Sequence, residues 1–183
     1  MTTETIASHD SAVPTSTPPF PTRIPLDDPS LGAWRSFLQA HARLTRRLDE
    51  ELQAEHSLSL AEYDALVQLA LTPGRQLRMS VLADRVLLSR SGVTRLVDRL
   101  VKEGMVTRVA CATDARGAEA TLTRAGLERL RPASKTHLDG VHRYFLDVIA
   151  AADQVAIERG LDSVIDGVAN SAAAGSSGKP GKG

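Results

Sequence analysis

The sequence is poor in cysteine and in aromatic residues, and the shortage of cysteine excludes one class of protein. Cys111 is the only cysteine among 183 residues, so no intramolecular disulfide can form, and a reducing compartment is expected. Aromatic residues make up 3% of the chain, although the 42% hydrophobic and 24% charged residues are ordinary globular values. We therefore predict one domain of ordinary size with its own core, and not a disulfide-stapled scaffold.

Long hydrophobic runs are also missing. No run approaches the roughly 18 apolar residues that a membrane-spanning helix needs. The N-terminus has acidic and hydroxyl residues where a signal peptide would have a basic region and an apolar core. A cytoplasmic protein with no membrane partner is the expectation.

Motifs for catalysis and metal binding are not found either. The sequence has no glycine-rich phosphate loop, no nucleophile elbow and no paired metal-ligand motif. Two histidines that chelate a metal from one helix stand three or four residues apart, whereas His137 and His142 are five apart. We predict that the protein is not an enzyme and that it has no metal and no cofactor.

The formal net charge is zero, which taken alone argues against nucleic-acid binding. The zero net charge conceals a local surplus of positive charge, because residues 75–116 hold nine Arg or Lys against four Asp or Glu. The remainder of the chain is correspondingly acidic. A basic block within an acidic scaffold indicates a local phosphate-binding surface.

The basic block coincides with a pattern of short helices followed by a hairpin. The predicted elements are a helix over 80–86, a turn over 87–89, a basic helix over 90–103, and strands over 105–110 and 118–122. Ser89 is a good N-cap for the basic helix, and Gly104 is expected to end it. This order predicts a mostly α fold with a small β-hairpin wing, which is a winged helix-turn-helix.

The polar face of the basic helix carries residue types that bind DNA. Arg, Ser and Thr donate hydrogen bonds to base edges and phosphates. The candidate DNA-binding residues of this helix and its cap are Ser89, Arg90, Ser91, Thr94, Arg95 and Arg99. At the hairpin tip, Arg116 is predicted to enter a minor groove, with Asp114 as the partner that orients it. The alternative is a winged-helix protein-interaction or structural module whose basic face is solvated.

Long amphipathic helices flank this segment. The first, from residue 31 to about 55, has an apolar stripe longer than a small domain can cover, so part of it is expected to meet another chain. A short helix over 60–71 follows, with Ser59 and Glu62 as a capping box. Thr123 is predicted to cap the next helix, whose stripe reaches Val148, and a last helix spans about 153–168. The proline-rich residues 1–30 and the tail after 169 are expected to be flexible.

Four segments together resemble the multiple-antibiotic-resistance regulator (MarR) family. They are LSLAEYDALVQLA, LRMSVLADRVLLSRSGVTRLVDRLVKEGMVTR, DARG in the wing, and TLTRAGLERL. The resemblance centres on residues 60–130 and extends over nearly all of 31–169. It implies a homodimer with a DNA-binding head (residues 59–122) and dimerisation helices over 31–56 and 123–169. It also implies a regulator, more often a repressor, that binds a palindromic operator in double-stranded DNA and is released by a small effector.

The resemblance also suggests where an effector would bind. A subset of the family that senses urate-like anions has a tryptophan in the first helix together with acidic and arginine pocket residues. Trp34, His41, Asp64 and Arg90 are the corresponding candidates here, and they imply a small phenolic or purine-like anionic effector. Core packing is the alternative for Trp34. A redox-responsive regulator acting through Cys111 is a further alternative, although oxidant sensors of this family usually hold their cysteine in the first helix.

Overall fold

The computed structural model describes residues 28–110 and 117–176, and the chain forms two compact units, residues 1–38 and 39–183. In the first unit, the Asp28 carboxylate accepts a hydrogen bond from the Ser30 N–H at 2.8 Å and caps a short 3-10 turn, Pro29–Leu31. The helices and strands are α1 (Gly32–His56), α2 (Leu60–Leu71), β1 (Gln76–Arg78), α3 (Met79–Arg85), α4 (Arg90–Lys102), β2 (Val106–Ala110), β3 (Ala118–Leu122), α5 (Arg124–Tyr144) and α6 (Ala151–Ser176).

Helix boundaries in the second unit follow local capping chemistry. Ser59 accepts from the Glu62 N–H while the Glu62 carboxylate accepts from the Ser59 N–H, which confirms the predicted capping box. Ser89 caps α4 and Thr123 caps α5 through their hydroxyl oxygens, as predicted. Gly104, just after α4, has a φ of 71°, a left-handed conformation that suits glycine and ends the helix.

The sheet has three antiparallel strands in the order β1-β3-β2. The predicted hairpin strands β2 and β3 pair with Val106 opposite Leu122 and Ala110 opposite Ala118. Strand β1, which the sequence did not predict, pairs with the other edge of β3 and places Leu77 opposite Ala120. Three residues are too few to show an alternating pattern, and the partner strand lies about forty residues further along the chain.

The core of the second unit lies where α2, α3, α4 and the sheet meet. Its fully buried large side chains are Leu52, Leu58, Leu66, Leu69, Leu82, Leu100, Val93, Val97 and Val106. Val101 and Val81, which lie next to buried positions of their helices, are themselves 39% and 37% exposed. Val101 follows the buried Leu100 by one residue, which turns its side chain about 100° round the helix and away from the core.

The C-terminal helices differ from the prediction at their ends. Helix α5 stops at Tyr144, because Phe145 leaves helical geometry (φ −129°) and a 3-10 turn over Leu146–Val148 follows. Helix α6 continues to Ser176, so residues 171–176 are helical and not part of a flexible tail. The alanines in that stretch have high helix propensity, which accounts for the extension. The predicted arm over 1–27 and the remaining tail, 177–183, lie outside the described residues.

Candidate nucleic-acid interface

Helix α4 presents two chemically different faces. Val93, Leu96, Val97 and Leu100 are buried against the core. Ser91, Arg95 and Asp98 are exposed on the opposite side, at spacings of three and four residues that align them along the helix. The buried stripe therefore fixes which side chains α4 offers to a partner outside the chain.

Hydroxyl groups cluster at the beginning of α4. The Ser89 oxygen accepts from the Gly92 N–H at 3.1 Å and lies 3.2 Å from the Ser91 hydroxyl oxygen. The Thr94 hydroxyl donates to the Arg90 carbonyl at 2.8 Å. These local bonds order the first turns of α4, while the hydroxyl oxygens keep lone pairs that accept hydrogen bonds.

Arg90 and Arg95 are the arginines that α4 leaves available. Within residues 28–110 and 117–176, neither guanidinium has a hydrogen bond or an ion pair, and both residues are exposed. Arg90 lines a cavity of about 430 Å³ together with Arg78, Ser80 and Thr94, where α4 approaches the beginning of α3 and of β3. Two arginines and two hydroxyl residues give this cavity donors that suit anionic oxygen.

Arg78 and Ser80 belong to this surface, although the sequence did not predict them there. Arg78 ends β1, which pairs with β3 at Glu119, and Ser80 lies in the first turn of α3. Their proximity to Arg90 depends on the unpredicted strand, so no local pattern in the sequence indicates it.

Arg99 and Asp98 of α4 are paired within the chain. The Arg99 Nε donates to the Glu62 Oε1 at 2.8 Å, and an Arg108 terminal nitrogen lies 3.2 Å from the Asp98 Oδ1. One ion pair joins α4 to α2, and the other joins it to strand β2 of the wing. An acid on the exposed face would repel phosphate, and the pair with Arg108 compensates that charge.

Glu62 is the one buried charged residue of the described core, with 7% of its surface exposed. Burial opposes ionisation of this carboxyl, but hydrogen bonds from the Ser59 N–H, the Ser59 hydroxyl and Arg99 outweigh it. The pKa of Glu62 therefore lies below its ordinary value, and the group is a carboxylate at neutral pH.

The wing tip falls in the gap between the described ranges. Arg116, Asp114 and Cys111 lie outside the described residues, so their predicted roles stay predictions. Strand β2, which leads to the tip, is joined to α4 by the exposed Arg108–Asp98 pair.

The four effector candidates have different surroundings. In the first unit, Trp34 is 56% exposed and stacks on Phe37, with ring centroids 6.0 Å apart. His41 is exposed on α1. Arg90 lines the cavity beside α3 and β3, whose lining does not include Asp64. The effector role of all four stays a prediction.

Asp64 lies near His137, a proximity that the sequence alone does not indicate. Burial raises the pKa of the Asp64 carboxyl, and the nearby His137 opposes that shift. Burial likewise lowers the pKa of the His137 imidazole, with Asp64 opposing. The His137 ring lies 4.5 Å from the Tyr63 ring, so α2 and α5 meet at a pair of titratable groups.

In the described ranges, no three His, Cys, Asp or Glu side chains are placed to hold a metal ion.

Comparison with known proteins places this architecture in a family. A model of the MarR family matches residues 56–117. AbsC, a MarR family transcriptional regulator from Streptomyces coelicolor, is 32% identical over 75% of this chain and 93% of its own, with a TM-score of 0.70. Sco3205, another such regulator from Streptomyces coelicolor, solved in complex with DNA, is 36% identical over 74% of this chain and 85% of its own, also with a TM-score of 0.70.

The chain belongs to the MarR family of transcriptional regulators. The predicted resemblance and the predicted winged-helix fold class are confirmed. MarR family members are transcriptional regulators and not enzymes, so this chain is a DNA-binding regulator. BldR from Sulfolobus solfataricus, at 20% identity, shares the MarR-type fold over 77% of this chain and 97% of its own, with a TM-score of 0.66. No curated protein matches the sequence. Among the described helices, none is long and apolar enough to span a membrane.

Proposed function

We propose that this MarR family chain is a homodimeric repressor that binds a palindromic operator and leaves it when a small anionic effector binds. The observation that carries the proposal is the exposed face of α4, where Arg90 and Arg95 have no partner in the described part of the chain. A cytoplasmic location is proposed on the same ground, because a repressor must reach its operator.

The DNA-binding surface in this proposal is α4 with the wing. Arg95 lies on the outward stripe of α4 and is the candidate for guanine, whose O6 and N7 match a guanidinium fork. Arg90, Ser91 and Thr94 contact phosphates or base edges near the beginning of α4, where the backbone N–H groups also face outward. Ser89 caps the helix and orients it. Arg116 enters the neighbouring minor groove, with Asp114 orienting it.

Homodimer formation is supported by the apolar side chains of α6. Val155, Ile157, Leu161, Val164, Ile165 and Val168 are between 37% and 67% exposed, although their spacing is that of a packed helix. Contiguous apolar surface of this kind marks a protein interface. A second copy of the chain is the occupant that the MarR family implies. A two-fold dimer presents two α4 helices, and the operator is therefore expected to be palindromic.

Release by an effector is the remaining part of the proposal. Trp34, His41, Asp64 and Arg90 are the candidate effector residues, and a phenolic or purine-like anion is the candidate class. The test adds salicylate or urate to the complex of protein and operator. The assignment is supported if either compound abolishes operator binding at a concentration that leaves the protein's weak binding to a control duplex unchanged. Unchanged operator binding with both compounds contradicts it.

Selection of bound duplexes from a random DNA pool tests the function directly. A repressor of this kind is expected to enrich a two-fold symmetric sequence at about 150 mM salt, and its affinity should fall steeply with salt. Equal binding to the enriched duplex and to scrambled DNA of the same composition would rule the proposal out. Placing the enriched site within a promoter and measuring transcription with and without the protein distinguishes a repressor from an activator.

Arg95→Ala tests the assignment of the base contact. Operator affinity is expected to fall by about 1–3 kcal/mol, and discrimination should relax at one base pair of each half-site. Lys135→Ala, which removes a positive charge from the exposed Lys135–Asp139 pair on α5, is the control. An Arg95→Ala protein with the operator affinity and specificity of the control would remove Arg95 from the interface.

A further inference from the structure

Arg99 differs from the other arginines of α4 because its side chain is committed to a contact within the chain. Its Nε donates to the Glu62 Oε1 at 2.8 Å. The Glu62 side chain is 9% exposed, whereas 59% of the Arg99 side chain is exposed. One partner is therefore fixed in the core, and the other belongs to the helix that faces DNA.

Glu62 is held by more than the arginine. Its Oε2 accepts from the Ser59 N–H at 2.9 Å and from the Ser59 hydroxyl at 2.8 Å. These bonds form the capping box of α2, so the carboxylate is tied to the backbone at the beginning of that helix. Its other oxygen, Oε1, is the acceptor that Arg99 uses. Arg99 is thus bonded to a group that has little freedom to move.

A tertiary contact, and not position on the helix, distinguishes Arg99 from Arg95. Arg99 lies four residues after Arg95, only about 40° further round α4, but its guanidinium is bonded to Glu62 of α2. On the outward stripe, Asp98 is paired with Arg108 of β2. The two ion pairs therefore restrain α4 against two different neighbours.

We propose that Arg99 is a positioning residue of the recognition helix, which sets the rotation of α4 about its axis through Glu62 and does not itself contact DNA. The inference rests on the proposed function, since α4 is the recognition helix only if the chain binds operator DNA. Hydrophobic packing alone leaves a helix some freedom to roll. A base contact tolerates errors of only about 0.5 Å and 10–20°, so a small change in roll costs affinity and specificity.

The substitution Glu62→Gln isolates the contact. Glutamine at this position still accepts from the Ser59 N–H, so the capping box survives, but its amide cannot form an ion pair with Arg99. Arg99→Gln removes the other partner, and Glu62→Gln/Arg99→Gln removes both. Lys135→Gln is the control for loss of one positive charge away from α4, and circular dichroism checks that every variant is folded.

The measurement is the affinity of each full-length protein for the duplex that the wild-type chain selects from a random pool, at several salt concentrations. Both single variants and the double variant are expected to lose a similar factor, about tenfold, because each breaks the same pair. Their preference for the selected duplex over scrambled DNA should fall as well. The slope of log affinity against log salt should equal that of the wild type, since no phosphate contact is lost. Arg99→Lys is expected to retain part of the operator affinity that Arg99→Gln loses.

A direct DNA contact gives the opposite pattern. If Arg99 binds a phosphate, Arg99→Gln alone weakens binding, the salt slope falls by about 0.9, and Glu62→Gln binds like the wild type. That result, additive losses in the double variant, or wild-type affinity in all three variants would overturn the positioning role. Failure of the wild-type chain to select any duplex would instead overturn the proposed function, so the two failures are distinguishable.

Discussion

Helices α4 and α6 are both amphipathic, but only α4 has its apolar side covered by the chain itself. Four apolar residues of α4 are at most 3% exposed, whereas six apolar residues of α6 are at least 37% exposed. Ion pairs tie α4 to α2 and β2. The beginning of α6 is held by Gln154, whose side-chain amide donates to the Leu146 and Ile149 carbonyls, both at 2.8 Å.

The difference shows that helical periodicity predicts that a face is buried but does not indicate which part of the protein covers it. In α4 the core of the same chain supplies the partner. In α6 the apolar area needs a partner that the single chain does not supply among its described residues, and the proposed homodimer provides one. Substitutions on α4 should therefore affect the stability of the chain itself, whereas substitutions on α6 should affect dimer formation.

The largest effect is expected from charging the apolar side of α6. Leu161→Glu/Ile165→Glu places two carboxylates on the proposed dimer surface, where burial of unpaired charge is unfavourable. The protein should sediment as a monomer in analytical ultracentrifugation. Its operator affinity should fall by about 10²–10⁴-fold, because one DNA-binding head no longer brings the other to its half-site.

Arg159→Glu is the matched control for that variant. It makes the same change in net charge at an exposed position of α6 on the side opposite Leu161 and Ile165. This control should remain a dimer with near wild-type affinity. A dimeric Leu161→Glu/Ile165→Glu protein would show that α6 does not form the interface.

Much of the winged-helix fold could be predicted from the sequence because its signals are local. Ser59, Ser89 and Thr123 cap helices through bonds that span three residues, so sequence spacing alone indicates them. Strand β1 and the pair of Arg99 with Glu62 could not be predicted, since each joins residues far apart in the chain. Basic residues on α4 look equivalent in the sequence, and only tertiary contacts distinguish Arg99 from Arg95.

A truncation in the core beneath α4 should destabilise the chain itself. Leu100→Ala removes a fully buried side chain and is expected to lower the free energy of unfolding by about 2–5 kcal/mol in denaturant titrations. This loss should be independent of protein concentration. Ile165→Ala, on the 63%-exposed residue of α6, should instead give a loss that depends on concentration, because it weakens dimer association. A concentration-dependent loss in Leu100→Ala would contradict the distinction between the two helices.

The smallest effects come from a pair of glycine substitutions. A Cβ on Gly126, at the beginning of α5, would collide with the Met105 carbonyl oxygen, whereas one on Gly160 of α6 would meet nothing within 4 Å. Gly126→Ala should therefore lower the free energy of unfolding by about 1–3 kcal/mol, because backbone atoms must shift.

Gly160→Ala should raise the free energy of unfolding by about 0.5–1 kcal/mol, since alanine loses less conformational entropy in a helix interior. Both values come from denaturant titrations, repeated at a low and a high protein concentration. Destabilisation by Gly160→Ala that grows with protein concentration would mean that a second copy packs closely against this glycine. The surface of α6 around Gly160, which is exposed in the single chain, would then be part of the dimer interface. The difference in exposure between α4 and α6 would hold only for the isolated chain.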